Sequence, residues 1–185
     1  ADGRMRLLDA AGGRSDAFDA VLFATGRRAS TASLGLAAAG IATDARGSIV
    51  VDAWQATSVE GVYAVGDVTA QPALTPVAIA AARRLMARLY GGQVDARLDL
   101  RDVPTVVFSH PPLARVGLTG DEARAEHGDD AVTVLRAGFR PMLHALADSP
   151  QRSLFKLVCT GAEERVVGIH LLGEGADEIL QGFAV

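Results

Sequence analysis

The 185 residues are 49% hydrophobic and 22% charged, enough to bury a core in one ordinary domain or two small ones. Twenty-two acidic against 18 basic residues give a net charge of −4 and a pI near 5.5, so the chain lacks the cationic field that nucleic acid or an anionic membrane surface requires. A single cysteine, Cys159, excludes an intrachain disulfide, a CxxC pair and any cysteine-based zinc site within these residues. With no apolar run near the roughly 20 residues that cross a bilayer, and no signal-peptide pattern at the start, the chain reads as soluble and cytoplasmic.

Residues 1–19 place Gly12 and Gly13 between two short mixed runs, as a hairpin would. VLFA at 21–24 and VYAV at 62–65 are short apolar runs closed by glycine turns, the pattern of strands buried on both faces. A third, more exposed strand is expected over residues 48–52. From Leu74 the text LTPVAIAAARRLMARLYGG predicts a helix, with Thr75 able to cap, Pro76 in the first turn and Gly91 and Gly92 as the stop. The polar stretch that follows, with Pro104, marks a domain boundary near residue 97.

The later half predicts strand, strand, helix, strand, strand, strand, helix. The strands are expected at 105–108, 114–118, 132–137, 153–159 and 166–172, in an antiparallel sheet. Thr119 and Glu122 form a T-x-x-E capping box that opens a helix ended by Gly128. A last helix starts near Ala176. Its apolar stripe of Ile179, Leu180, Phe183 and Ala184 breaks off at the end of the sequence, which reads as a truncation, and the stripe either faces a second subunit or packs on its own sheet.

Gly26 and Gly66, each ending an apolar run, suit the carboxyl edge of a doubly wound sheet, where small residues let a ligand approach the backbone. Spacing alone favours plain loop geometry, with Asp67 as a solvated turn residue. Read whole and in order, the words VLFATGRRAS, TSVEGVYAVGDV, ALTPVAIAAARRL, PTVVFSHPPLARVGLT, FKLVC and EERVVGIHLLGEGADEILQGFAV resemble the carboxyl-terminal part of the flavoprotein pyridine nucleotide-disulfide oxidoreductases, nearest to the glutathione reductases among them. The resemblance spans residues 19–185.

That resemblance implies the second half of a doubly wound α/β FAD-binding domain at residues 19–97, then an incomplete α+β dimerisation domain at 98–185 with antiparallel sheet and helices. Residues 1–18 become the end of a pyridine-nucleotide domain. FAD is the implied cofactor and NADPH the co-substrate. Asp67 is expected on a ribitol hydroxyl, with Gly66 beside the pyrophosphate-ribitol chain and Ala24, Thr25 and Gly26 near the adenosine half. Leu74 and Thr75 are the expected backbone donors at a helix N-terminus directed at the flavin, and the Thr75 hydroxyl either caps the helix or turns to the flavin.

Arg27 and Arg28 resemble the family's post-glycine arginine, with surface charge the alternative. Arg83 matches an arginine that binds a carboxylate of glutathione disulfide, the alternative being helix solvation. FRPMLHALAD resembles a stretch of glutathione reductases that brings Met142 and Leu143 to substrate held by a dimer partner, while ordinary packing of Met142 stays open. His110, His170 and Cys159 are expected to be structural, so no catalytic residue is assigned within this chain. The redox cysteine pair, the amino-terminal G-x-G-x-x-G turn and the acid-base histidine fall outside it. The implied activity is NADPH-dependent reduction of glutathione disulfide by a homodimer. Mercuric and dihydrolipoamide reductases share the AVGD and HPP words and remain alternatives, as does a non-enzymatic dimerisation module for the isolated chain.

Overall fold

A computed structural model describes residues 3–145, 147 and 149–184. The chain divides into two compact units, Ala1–Val94 and Asp95–Val185.

In the first unit the regular element is α1, Thr75–Tyr90. Its alanine-rich text favours helix, Pro76 needs no intrahelical donor in the first turn, and Gly91 caps the other end through its amide on the Ala87 carbonyl. Val77, Ala81 and Leu85, four residues apart, form its buried stripe. The cap position is Leu74 and carries no side-chain hydrogen bond, so Thr75 is the first helical residue and not the cap expected for it. Ahead of α1 the chain is a series of turns joined by isolated bridges. Met5 pairs with Phe18 and Leu8 with Arg14, which makes the amino-terminal hairpin.

Three turns in this unit share one device. The Oδ1 atoms of Asp9, Asp44 and Asp52 each accept two backbone N–H groups, from Ala11 and Gly13, Arg46 and Ser48, and Trp54 and Ala56, at 2.8–2.9 Å. The expected strands of this half are corrected to single bridges. Ile49 bridges Thr43 and Thr69, and Tyr63 bridges Ala56. Residues 21–24 join no ladder among the described residues, and Leu22 and Phe23 are 89% and 77% exposed. A strand destined for burial on both faces needs neighbours on both edges.

The second unit is a five-stranded antiparallel sheet in the order β1-β2-β5-β4-β3, made of β1 (Thr105–Val107), β2 (Leu113–Gly117), β3 (Val132–Phe139), β4 (Ser153–Thr160) and β5 (Arg165–Leu172). Helix α2 (Gly120–His127) follows β2, and α3 (Ala176–Gln181) follows β5. The capping box is present in full: the Thr119 hydroxyl accepts from the Glu122 amide, and the Glu122 carboxylate accepts from the Thr119 amide.

The core lies under α3, where Ala114, Val116, Leu171, Ala176 and Leu180 close together with Val106, Phe155 and Ile169 packed around them. Leu180, 1% exposed, therefore belongs to its own unit's core, and the stripe expected on this helix divides: Leu180 points inward while Ile179 and Phe183 stay exposed. Val185, at the end of that stripe, lies outside the described residues, as do Leu146 and Asp148 of FRPMLHALAD.

Where β2 passes β5 the backbones nearly touch. A Cβ on Gly168 would stand 2.0 Å from the Leu118 carbonyl oxygen, and one on Gly117 would stand 2.3 Å from that of Val167. Only glycine fits this crossing.

Candidate functional site

The first unit carries an open cleft of about 920 Å³, lined by three stretches: Arg27–Ser30, the Asp44–Ser48 turn and Asp67–Ala73. The third stretch follows Gly66, whose φ of +78° favours glycine, and which starts a single 3-10 turn, Gly66–Val68. Thr69 latches the turn, donating both its amide (2.9 Å) and its hydroxyl (2.8 Å) to the Gly66 carbonyl. The Ile49 amide donates to the Val68 carbonyl at 2.7 Å and fixes the turn's far side. A Cβ on Gly66 would sit 3.4 Å from the Ala78 Cβ, so the turn rests against the first turns of α1.

Asp67 is held at the mouth of the cleft with its side chain 54% exposed. Its nearest cation is Arg27, whose Nη1 lies 3.8 Å from Oδ2. The pair is long and solvated, so it contributes little to stability. Asp44, across the cleft, has its carboxyl below the usual range because the Ser48 amide donates to it, with the Arg46 amide adding to the effect. Arg28 and Arg46 complete a rim with more positive than negative groups. The Oε1 of Gln71, another lining residue, is buried without a partner among the described residues.

The helix terminus differs from expectation in one respect. The Leu74 amide donates to the Pro72 carbonyl at 2.8 Å and is not free, which leaves Thr75 as the backbone donor of the expected pair. The Thr75 side chain is exposed and makes no capping bond. Gly66, Asp67, Leu74 and Thr75 are thus assembled around one turn and one helix end. Ala24, Thr25 and Gly26 are exposed and do not line the cleft, although Arg27, which follows them, does.

A flavin dinucleotide tests this arrangement. The conformation of Gly66, the half-exposed carboxylate of Asp67 and the arginine rim suit a hydroxylated chain bearing phosphates. The fit is that of one wall of a site, with residues 24–26 open to solvent.

Arg83 is exposed on α1 beside a depression of about 630 Å³ shared with Ile79, Arg84 and Gln93. Met142, in the second unit, is 92% exposed, so ordinary packing does not account for it. His170 bonds the Leu118 carbonyl through Nε2 at 3.1 Å, and burial first, then the Lys156 ammonium, holds its pKa below the usual histidine value. Cys159 is buried. No group of three or more potential metal ligands occurs among the described residues, and no helix among them is long and apolar enough to cross a membrane. Sequence reading missed the Asp44 turn and Gln71 as cleft residues. The D-x-x-G-S text of the turn was a usable signal; Gln71 offered none.

Residues 103–185 match the model of the pyridine nucleotide-disulphide oxidoreductase dimerisation domain, and residues 2–82 that of pyridine nucleotide-disulphide oxidoreductase. The chain is 43% identical over 169 residues to the glutathione reductase of Schizosaccharomyces pombe, covering 90% of this chain and 36% of that protein. Among solved structures it is similar to the HOCl-induced flavoprotein disulfide reductase RclA from Escherichia coli (28% identity, TM-score 0.81) and to the Cu(II) complex of that protein (29%, 0.83). In both, all of this chain and 41% of the other are covered. The chain therefore spans little more than a third of the curated relative and about two fifths of those structures. The mixed α/β chain, with its antiparallel second unit, matches the fold of the flavoprotein disulfide reductases and belongs to the pyridine nucleotide-disulphide oxidoreductase family.

Proposed function

We propose that this chain is part of an NADPH-dependent FAD reductase that converts glutathione disulfide to glutathione. Residues 19–97 supply one half of the flavin domain, residues 98–185 the dimerisation domain and residues 1–18 the end of the nucleotide domain. The Gly66–Asp67 turn carries this reading: a left-handed glycine presents a half-exposed carboxylate at the mouth of an open cleft rimmed by Arg27, Arg28 and Arg46. Identity of 43% to a glutathione reductase supports the substrate.

Bound FAD supplies the two-electron relay between nicotinamide and disulfide. Asp67 accepts from a ribitol hydroxyl, and Arg27 keeps its carboxylate turned toward the cleft. The exposed backbone of Ala24, Thr25 and Gly26 takes the adenosine side. The free amide of Thr75, at the positive end of α1, stabilises negative charge on the flavin ring; Leu74, its amide engaged, positions that turn. Arg83 binds a carboxylate of glutathione disulfide, and Met142 packs on substrate bound by the partner subunit. The cytosolic glutathione pool sets the proposed location as cytoplasmic.

A second copy of the chain covers the apolar surface of the second unit. Leu135 and Phe139 on edge strand β3, together with Ile179 on α3 and Phe183 just after it, are exposed on the side of the sheet that carries the core.

The test is made on the protein from the complete reading frame. A yellow preparation that reduces glutathione disulfide with NADPH, and loses flavin in Asp67→Ala, is expected. In Arg83→Ala, kcat/KM for glutathione disulfide should fall about tenfold or more while reduction of the flavin by NADPH is unchanged. A colourless protein overturns the flavin reading. A flavoprotein preferring dihydrolipoamide or mercuric ion overturns the substrate alone.

A further inference from the structure

Four basic side chains stand in one line across the second unit's sheet. Arg115 on β2 faces His170 on β5, His170 faces Lys156 on β4, and Lys156 faces Arg136 on β3. Directly opposed residues of antiparallel strands share a face, so the line advances by about 4.8 Å per strand. Like charges placed opposite one another repel. Yet Arg115, Lys156 and Arg136 form no ion pair among the described residues. The facing acid, Glu122 of α2, is committed to the capping box.

Two residues further along the strands runs a second line, Val107, Leu113, Leu172 and Leu154, in the same register. Val107, Leu113 and Leu154 are exposed. Helix α3 packs on the opposite face, over Ala114, Val116 and Leu171, and α2 lies toward Val134, on the far side of the basic line from the leucines. The sheet thus presents a cationic row and an apolar row, side by side, with neither α2 nor α3 of the second unit packed over them.

We propose that this face docks an acidic amphipathic helix of a partner protein, its carboxylates on Arg115, Lys156 and Arg136 and its apolar stripe on Leu113, Leu172 and Leu154. Helical pitch decides the occupant. Side chains one turn apart on a helix are about 5.4 Å apart along its axis, close to the inter-strand step, so successive turns meet successive strands. An extended peptide repeats on one face every ~6.6 Å and falls out of step. Long arginine and lysine side chains absorb the residual offset. With a net charge of −4, the chain repels an acidic partner elsewhere and directs it to this row.

The test titrates the 185-residue chain, at low ionic strength, with a synthetic helical peptide of about five turns bearing adjacent glutamate and leucine stripes. Saturable calorimetric binding is expected. It should weaken about tenfold or more in Arg115→Glu/Arg136→Glu, weaken similarly when the peptide leucines become serine or in Leu154→Ser, and fall with added salt. Circular dichroism checks each fold, and Arg115→Gln/Arg136→Gln replaces the charge reversal if that variant unfolds, with the same loss expected. Absence of saturable binding, or full affinity in the arginine variants, overturns the proposal. So does full affinity of the serine peptide, or displacement of the peptide by tripolyphosphate binding as tightly, since either reduces the row to a site for anions of any shape.

Discussion

The two units solve the same problem of satisfying backbone groups by different means. In the second, each strand finds an antiparallel partner nearby in the chain, and β3, β4 and β5 run eight residues each, in ladders broken only by a register shift between Val158 and Cys159 where β4 pairs with β5. In the first, the apolar runs at 21–24 and 62–65 have the texture of strands, but among the described residues the first run joins no ladder and the second only a single bridge at Tyr63, and aspartate side chains hold the turns between. Antiparallel neighbours can be joined by short connections, as β1–β2 and β4–β5 are, whereas strands of a parallel sheet need longer crossovers. The comparison teaches that similar local patterns yield regular structure only where their partners lie within reach.

The sharpest way to break this contrast is to remove the second unit's core while leaving its ladders alone. Leu180→Ala should cost about 2–5 kcal/mol by cavity formation, and Leu180→Asp should unfold the unit, because an unpaired charge would enter a closed cluster. Phe183→Ala, at an exposed position on the same short stretch, should stay within about 0.5 kcal/mol. Urea unfolding followed by circular dichroism reads all three; an unchanged midpoint for Leu180→Ala would detach α3 from the core.

Next comes the crossing of β2 and β5. Gly168→Ala drives a methyl against a backbone carbonyl that has no rotamer to escape into, and overpacking should cost about 1–3 kcal/mol or more. Gly138→Ala, on the open edge strand where an added Cβ meets nothing within 4 Å, is the control and should be nearly silent. Smaller again is Thr119→Ala, which opens the capping box and should lower stability by about 1 kcal/mol. The partner Glu122 has its carboxyl pKa lowered by the bonds from Thr119, so its stabilisation is in force above the ordinary value of 4.5 and fades as pH falls through that value toward the lower folded one. In Thr119→Ala that acid-side fading should shrink.

The mildest effect sharpens the view of the basic row. Burial, then Lys156, holds the His170 pKa below 6.5, so the unfolded chain takes up the proton first. Stability should be flat above about pH 6.5 and decline as pH falls from there through the folded value. His170→Gln should flatten that part of the profile, as measured by urea midpoints between pH 5 and 8. An unaltered slope would assign it to other groups.

Legibility followed the same divide. The T-x-x-E signal, the proline and glycine flanking α1, and all five strands of the second unit could be read directly, because each is written within a few adjacent residues. The cap at Leu74 could not, since Thr75 satisfies the same composition rule one position later and only backbone geometry separates them. The split of the α3 stripe, with Leu180 inward and Ile179 and Phe183 outward, depends on which face meets the sheet. The line from Arg115 to Arg136 depends on the register of four strands and is scattered over the text. At the cleft, Gly66 and Asp67 stood out as a word, whereas the loss of the Leu74 amide to Pro72 is a detail of chain direction that no residue type announces.

The three aspartate turns bear on how the surface can be altered. Each uses only its Oδ1 to gather two amides, an atom that asparagine also possesses. At Asp9, Asp44 and Asp52, shape and charge are therefore separable properties. Asparagine there would keep the loops closed while removing three negative charges, so the solubility of the chain and its attraction for anions can be tuned without redrawing its backbone.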